Sequence, residues 1–207
     1  MWIKYHEEIT RKALENHFLP PALSDIIQAN IKQDGLLGQI GHSHFHFDNN
    51  AFNESRAYIQ DQREKLFSNM GVNKPVSARK HLGRLLHSLQ DFYAHSNYVT
   101  LWLQRYDPRS LPHYDSIDPC DDQILVCSKL RSGKLYYPLE ILSFIPVLKE
   151  VVLPLLPRDS HARMNLDGPE SGEKFLYAFS AAAKMTNIEF EDIISGMPAD
   201  RLTLFFR

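Results

Sequence analysis

Apolar residues recur at three- and four-residue intervals through most of the 207-residue chain, with little of the strict alternation that marks a half-buried strand. The pattern predicts a first helix over 3–17, stopped before Pro20 and Pro21. Ser24 is placed to cap a second, running to about Lys32. A glycine-punctuated loop follows, "DGLLGQIGHSHFHFDNN", and then a third helix through "AFNESRAYIQDQREKLF". Pro75 and Ser77 introduce a long fourth helix, "ARKHLGRLLHSLQDFYAHSNYVTLWL".

Beyond it, residues 105–135 are rich in Pro, Asp and Ser and read as an irregular loop. Four prolines break 136–157 into short helical pieces, and "ESGEKFLYAFSAAAKMTNIEFEDII" reads as a final amphipathic helix. Neither internal repeats nor a linker divides the chain. The expected architecture is an all-α, single-domain multi-helix bundle over 1–207, with an irregular insertion at about 105–157.

The most apolar window, "YYPLEILSFIPVLKEVVLPLLP", carries Glu140, Lys149 and Glu150 besides its prolines. A bilayer-spanning helix tolerates neither that charge nor those breaks, so the window reads as a buried, broken segment or a lid. A membrane-facing surface is the lesser alternative. "MWIKYHEEIT" is charged from its start and lacks the apolar core of a secretory signal, which leads to an expectation of a cytoplasmic protein, with export by another route left open.

Composition narrows the function. Hydrophobic residues make up 43% and charged residues 23%, enough for a sizeable core. A net charge of -2 argues against a broad nucleic-acid-binding face, since phosphate backbones want clustered positive charge. Cys120 and Cys127 are too few for a disulfide framework. The ten histidines, by contrast, fall into clusters.

Within "HSLQDFYAHSN", His87, Asp91 and His95 stand four apart, so they share a helix face about 80° wide along about 12 Å of axis. That stripe is long enough for two adjacent metal ions, with Asp91 placed to bridge them. In "GHSHFHFDNN", His42, His44 and His46 alternate, and an extended backbone would point all three to one side. Neutral imidazole and aspartate are the usual ligands of zinc and similar divalent ions. Asp34 sits where the second helix ends, and His6 lies in the first. A zinc-protease helix would need histidine at position 10, which is Thr10. His161 lies in "DSHARMNLDGPES" beside Asp159, Asn165 and Asp167. His17, His81 and His113 read as a structural remainder.

This order of residues resembles the zinc-dependent phospholipase C superfamily, which includes single-strand-specific nucleases and the heterokaryon-incompatibility C proteins. "LGRLLHSLQDFYAHSNYV", "HFDN" and "HARMNLDGP" look closest to the last branch. The resemblance implies a fold of the phospholipase C type and up to three zinc ions. Asp34, His46, His87 and Asp91 would hold one, with His44 satisfying the motif as well as His46 does. His6, Asp91 and the amine and carbonyl of Met1 would hold another; the phospholipases begin with tryptophan there, whereas Trp2 follows Met1 here. His95 and His161, with Asp167 or Asn165, would hold the third.

The implied activity is zinc-dependent phosphoric ester hydrolysis by a metal-activated water, with Asp34 as a catalytic base. Implied partners are a small phosphoester or phospholipid head group, with peripheral contact at a membrane. The alternatives are a metal-stabilised structural or interaction protein of the heterokaryon-incompatibility type, and a zinc-dependent nuclease.

Overall fold

One helix, Pro75–His95, is buried along most of its length, and the other long helices pack around it. The computed structural model describes residues 1–35, 41–143 and 145–207, the side chains of 146 and 149 excepted. In chain order the helices are α1 (Ile3–Leu14), α2 (Pro20–Ile31), α3 (Phe52–Gly71), α4 (Pro75–His95) and α5 (Tyr98–Leu103). They continue with α6 (Asp122–Leu125), α7 (Leu139–Ser143), α8 (Pro146–Val152), α9 (His161–Met164), α10 (Lys174–Ser195) and α11 (Ala199–Phe206). Two isolated bridges, and no strand, occur among the described residues.

Proline opens both α2 and α4 at the first turn, where its missing N–H costs no helical hydrogen bond. Pro20 therefore starts the second helix, earlier than the Ser24 cap expected from the sequence. Helices α2, α3 and α10 pack along α4. Leu82, Leu85 and Leu86 of α4 join one apolar cluster with Leu14, Ile26, Phe190 and Phe205. Phe92, Tyr93 and Ala94 join a second with Ile9, Tyr98, Trp102 and Ala182. Each fully buried leucine contributes roughly 1.5–3 kcal/mol. Between the two clusters the same helix buries Ser88, Gln90 and the His87–Asp91 pair. The closest approach is at Gly83, where an added Cβ would stand 2.2 Å from the Ile26 carbonyl oxygen.

The expected single fourth helix is broken. Ser96 takes an extended conformation and pairs with Ser132, so α5 is a separate element. Asn97 holds the break, accepting from the Arg131 N–H and donating to the Lys129 carbonyl. The 105–135 region is sewn to the bundle: Tyr93 and Tyr98 hydroxyls donate to the carbonyls of Pro119 and Asp118 at 2.8 and 2.5 Å. Its own Ile117 and Ile124 are buried.

The prolines divide 136–157 as expected, but the segment is not buried. Val147, Val151 and Leu155 are 85%, 67% and 66% exposed, while Val152 and Leu156 turn inward. Pieces this short cover one side only. No helix among the described residues is long and apolar enough to cross a membrane. Part of the histidine-rich loop, residues 36–40, lies outside the described residues.

Candidate metal centre

Helix α4 supplies the base of the site, and five other segments bring side chains to it. His6 comes from α1 and Asp34 from the 3-10 turn after α2. His46 and Asp48 flank Phe47, whose φ of 57° is in the left-handed region. A bulky side chain adopts that conformation rarely, and strain of this kind gathers at functional sites. His161 opens α9, and Asp167 follows in the loop before α10.

Two groups of donors result. His6, Asp34, His87 and Asp91 present ligand-type atoms within 4.8 Å of one another, as do Asp48, His95 and His161. In the first group, His6 Nε2 lies 3.1 Å from Asp91 Oδ1, and His87 Nε2 lies 3.0 Å from Asp91 Oδ2. Both imidazoles are 3.8 Å from Asp34 carboxylate oxygens. In the second, His161 Nδ1 stands 2.7 Å from Asp48 Oδ1, and His95 Nδ1 stands 3.6 Å from the same oxygen. His46 joins the groups, its Nδ1 being 2.8 Å from Asp91 Oδ2 and 3.1 Å from His87 Nε2. Asp167 lies 3.0 Å from His95 Nε2. The Met1 ammonium donates to Asp91 Oδ1 at 2.6 Å and lies 2.9 Å from Asp167 Oδ1.

The charges respond to this crowding. Burial drives the His87 pKa down to about 4, against the pull of Asp91, so the ring is neutral. Burial also opposes charge on His161, but Asp48 overrides it and lifts the ring to about 9. The Met1 amine rises to about 11, because Asp167 and Asp91 outweigh its desolvation. Asp91 and Asp167 are held well below the usual carboxylate range: desolvation opposes this, and the ammonium and imidazoles prevail.

A divalent cation fits this donor set. His6 Nε2 and Asp34 Oδ2 are both buried, yet neither makes a hydrogen bond among the described residues. His6 Nε2 is within 3.1 Å of an Asp91 oxygen but misaligned for donation, as donors aimed at a common ion would be. A cavity of about 730 Å³ opens beside the cluster, walled by Trp2, Leu135, Tyr137, Ile141 and Ile145. A larger cleft of about 1400 Å³ lies elsewhere and contains none of these donors, but Asn165 lines it.

Every residue anticipated as a ligand therefore converges here: Met1, His6, Asp34, His46, His87, Asp91, His95, His161 and Asp167. Of the open pairs, His46 and Asp167 face the cluster. His44 packs edge-on against Phe45 and Tyr58 instead, with ring centroids 4.6 and 5.6 Å away. The backbone at Ser43–Phe45 is a 3-10 turn and not extended, so His42, His44 and His46 do not share a side. His42 stacks on Phe45. Sequence reasoning passed over Asp48 as a donor, although it ends the "HFD" stretch. It also passed over Gln90 and Asn30, whose amides look like ordinary helix residues until the fold places them behind the histidines.

The geometry defines a helical domain built around a buried imidazole–carboxylate cluster. The chain belongs to the VWA7 N-terminal domain family, whose model matches residues 6–123. It is 36% identical over 91 residues to von Willebrand factor A domain-containing protein 7 of Homo sapiens, covering 44% of this chain and 10% of that protein. The proteins of the same name from Rattus norvegicus and Mus musculus are each 35% identical over the same length. The chain thus spans about a tenth of the length of the curated relatives it matches. No solved structure matches it.

These findings correct the resemblance drawn from the sequence. The matched stretch contains His6, Asp34, His46, His87, Asp91 and His95, and the family it identifies is not the zinc-dependent phospholipase C and nuclease superfamily. The phosphoester hydrolase reading goes with it, as do its nuclease and heterokaryon-incompatibility alternatives. The reason is physical. Ordered imidazoles and carboxylates are what a buried cation cluster demands of a helical chain, so they specify donors and not ancestry.

Proposed function

We propose that this domain is a divalent-cation-binding module, with zinc the best-suited ion. His6, Asp34, His87 and Asp91 hold one cation, and Asp48, His95 and His161 a second. His46 and Asp167 lie between the groups, and the Met1 ammonium is a further cationic group against Asp91 and Asp167. Neutral imidazole mixed with carboxylate suits borderline ions such as zinc better than calcium or magnesium, which take oxygen ligands. The observation that carries the reading is the orphaned pair, His6 Nε2 and Asp34 Oδ2, buried beside further anionic oxygens. Without a cation, such groups cost roughly 1–3 kcal/mol each.

The first ion would tie α1 and the turn after α2 to α4, and the second would tie α9 to α4, so binding energy becomes folding energy. The adjoining cavity has room for a small anionic head group against the ions, with Tyr137, Ile141 and Ile145 over its apolar part. The test is elemental analysis of protein purified without added metal, repeated after chelation and zinc replacement. Stoichiometric zinc, a melting temperature that falls on chelation and returns with zinc, and loss of both in Asp91→Asn support the reading. A chain that stays folded, carries no divalent metal and takes up none would overturn it.

A further inference from the structure

Behind the two imidazoles of the first group lies a polar network with no solvent exposure. His6 Nδ1 faces Gln90 Oε1 at 2.6 Å, and His87 Nδ1 faces Asn30 Oδ1 at 3.3 Å. The two rings are stacked, with centroids 4.3 Å apart. An amide can be placed either way round, so its orientation needs an independent reason. Thr186 supplies one. Its hydroxyl hydrogen is committed to the Ala182 carbonyl at 2.8 Å, which leaves its oxygen as an acceptor.

Gln90 Nε2 donates to that oxygen and to Thr10 Oγ1, both at 3.1 Å. The Gln90 carbonyl oxygen must then face His6. Asn30 Nδ2 donates to Thr10 Oγ1 at 3.0 Å and to Gln90 Oε1 at 3.2 Å, which turns its own carbonyl oxygen toward His87. Thr10, Asn30, Gln90 and Thr186 are all fully buried, so no water competes for these groups. An amide oxygen only accepts, so each ring carries a hydrogen on Nδ1, and in its neutral form leaves the Nε2 lone pair free. Both Nε2 atoms point at Asp91 and Asp34.

We infer that Gln90 and Asn30 are positioning residues that lock His6 and His87 in the Nδ1-protonated tautomer, so that both present Nε2 to a shared cation. The inference rests on the metal-centre reading and adds the cause of its donor geometry. Polar partners of this kind typically change metal affinity about 10- to 100-fold.

The test has two arms on the full chain. In the first, long-range nitrogen–proton NMR of metal-free wild type reads which ring nitrogen of His6 and His87 bears hydrogen. Nδ1-protonated rings are expected; Nε2-protonated rings overturn the inference whatever the variants do. In the second, zinc affinity is measured by chelator competition for Gln90→Met and Gln90→Glu, with folding checked by circular dichroism. A loss of about tenfold or more in Gln90→Met, with most of it recovered by Gln90→Glu, which keeps the acceptor, supports the inference. Unchanged affinity in folded Gln90→Met sinks it. Should wild type show the expected tautomers yet bind no zinc, the tautomer lock stands and the metal-centre reading fails.

Discussion

Gly133 lies flat against His161: a Cβ built on it would come 2.5 Å from the His161 Cα and 3.0 Å from its nitrogen. The Gly133 N–H donates to the His95 carbonyl at 3.0 Å, and its own carbonyl accepts from Asn49 at 2.8 Å. One residue further, the Lys134 carbonyl accepts from the His161 N–H at 2.8 Å. A segment of the irregular region thus stitches together the three stretches that carry Asp48, His95 and His161. Gly133→Ala puts a methyl group into backbone that has nowhere to retreat, at a cost of about 1–3 kcal/mol. On the proposed metal-centre reading, the expected result is a lower melting temperature and a zinc content reduced by about one ion, with the His6 group still loaded. Full zinc content and unchanged melting would show that this close approach does not hold the second group.

Gly83 sets the spacing of α2 against α4, and the neighbours of an added Cβ include the Asn30 backbone nitrogen at 2.9 Å. Gly83→Ala removes a helix-disfavouring residue, a gain of about 1 kcal/mol in an open helix. Here the clash with the Ile26 carbonyl outweighs it, because backbone cannot rotate away as a side chain can. The expected net effect is destabilisation by about 1–3 kcal/mol, read from the denaturant midpoint. A stabilised variant would mean the two helices can separate at little cost.

The helices and the donors were legible in the sequence for different reasons. Periodicity carried α1 to α4 and α10, because amphipathic helices must repeat their apolar face. The His87, Asp91 and His95 stripe followed from helical geometry alone. What periodicity cannot carry is pairing between distant segments. The break at Ser96 depends on Ser132, and the role of Gly133 depends on where His161 lies. Asp48 was hidden because its left-handed neighbour Phe47 redirects the chain, and no local pattern announces that turn. Donor order and short motifs do not carry family membership, which rests on the longer matched stretch.

Glu140 ties the exposed short helices to the site. Its carboxylate is fully buried, accepting from the Ala162 N–H at 2.6 Å and from the Tyr136 N–H at 3.3 Å. It therefore caps α9 one residue from His161, from a segment that is mostly apolar. Glu140→Ala removes that cap and should cost about 0.5–2 kcal/mol. Amide hydrogen exchange at Ala162 and Arg163 should accelerate more than in α4, whose protection belongs to the core. Uniform acceleration across the chain would instead make Glu140 a general stability residue.

Glu189 on α10 gives a pH signature distant from the cluster. It pairs with Arg63 of α3 at 2.6 Å, and Arg63 also binds Asp192. Burial raises the Glu189 pKa above its ordinary 4.5, and the attraction of Arg63 only partly offsets this. The sign follows from proton binding. Just above pH 4.5 the folded protein keeps a proton that the unfolded chain has lost, so stability falls as pH rises through the folded value and then levels. The amide introduced by Glu189→Gln cannot ionise, so that fall is absent in the variant. Urea midpoints of both proteins from pH 4 to pH 7 should show wild type losing ground to the variant as pH increases. A difference that moves the other way would mean that the Arg63 pair outweighs the desolvation of the carboxylate, and that Glu189 is held charged by its partner.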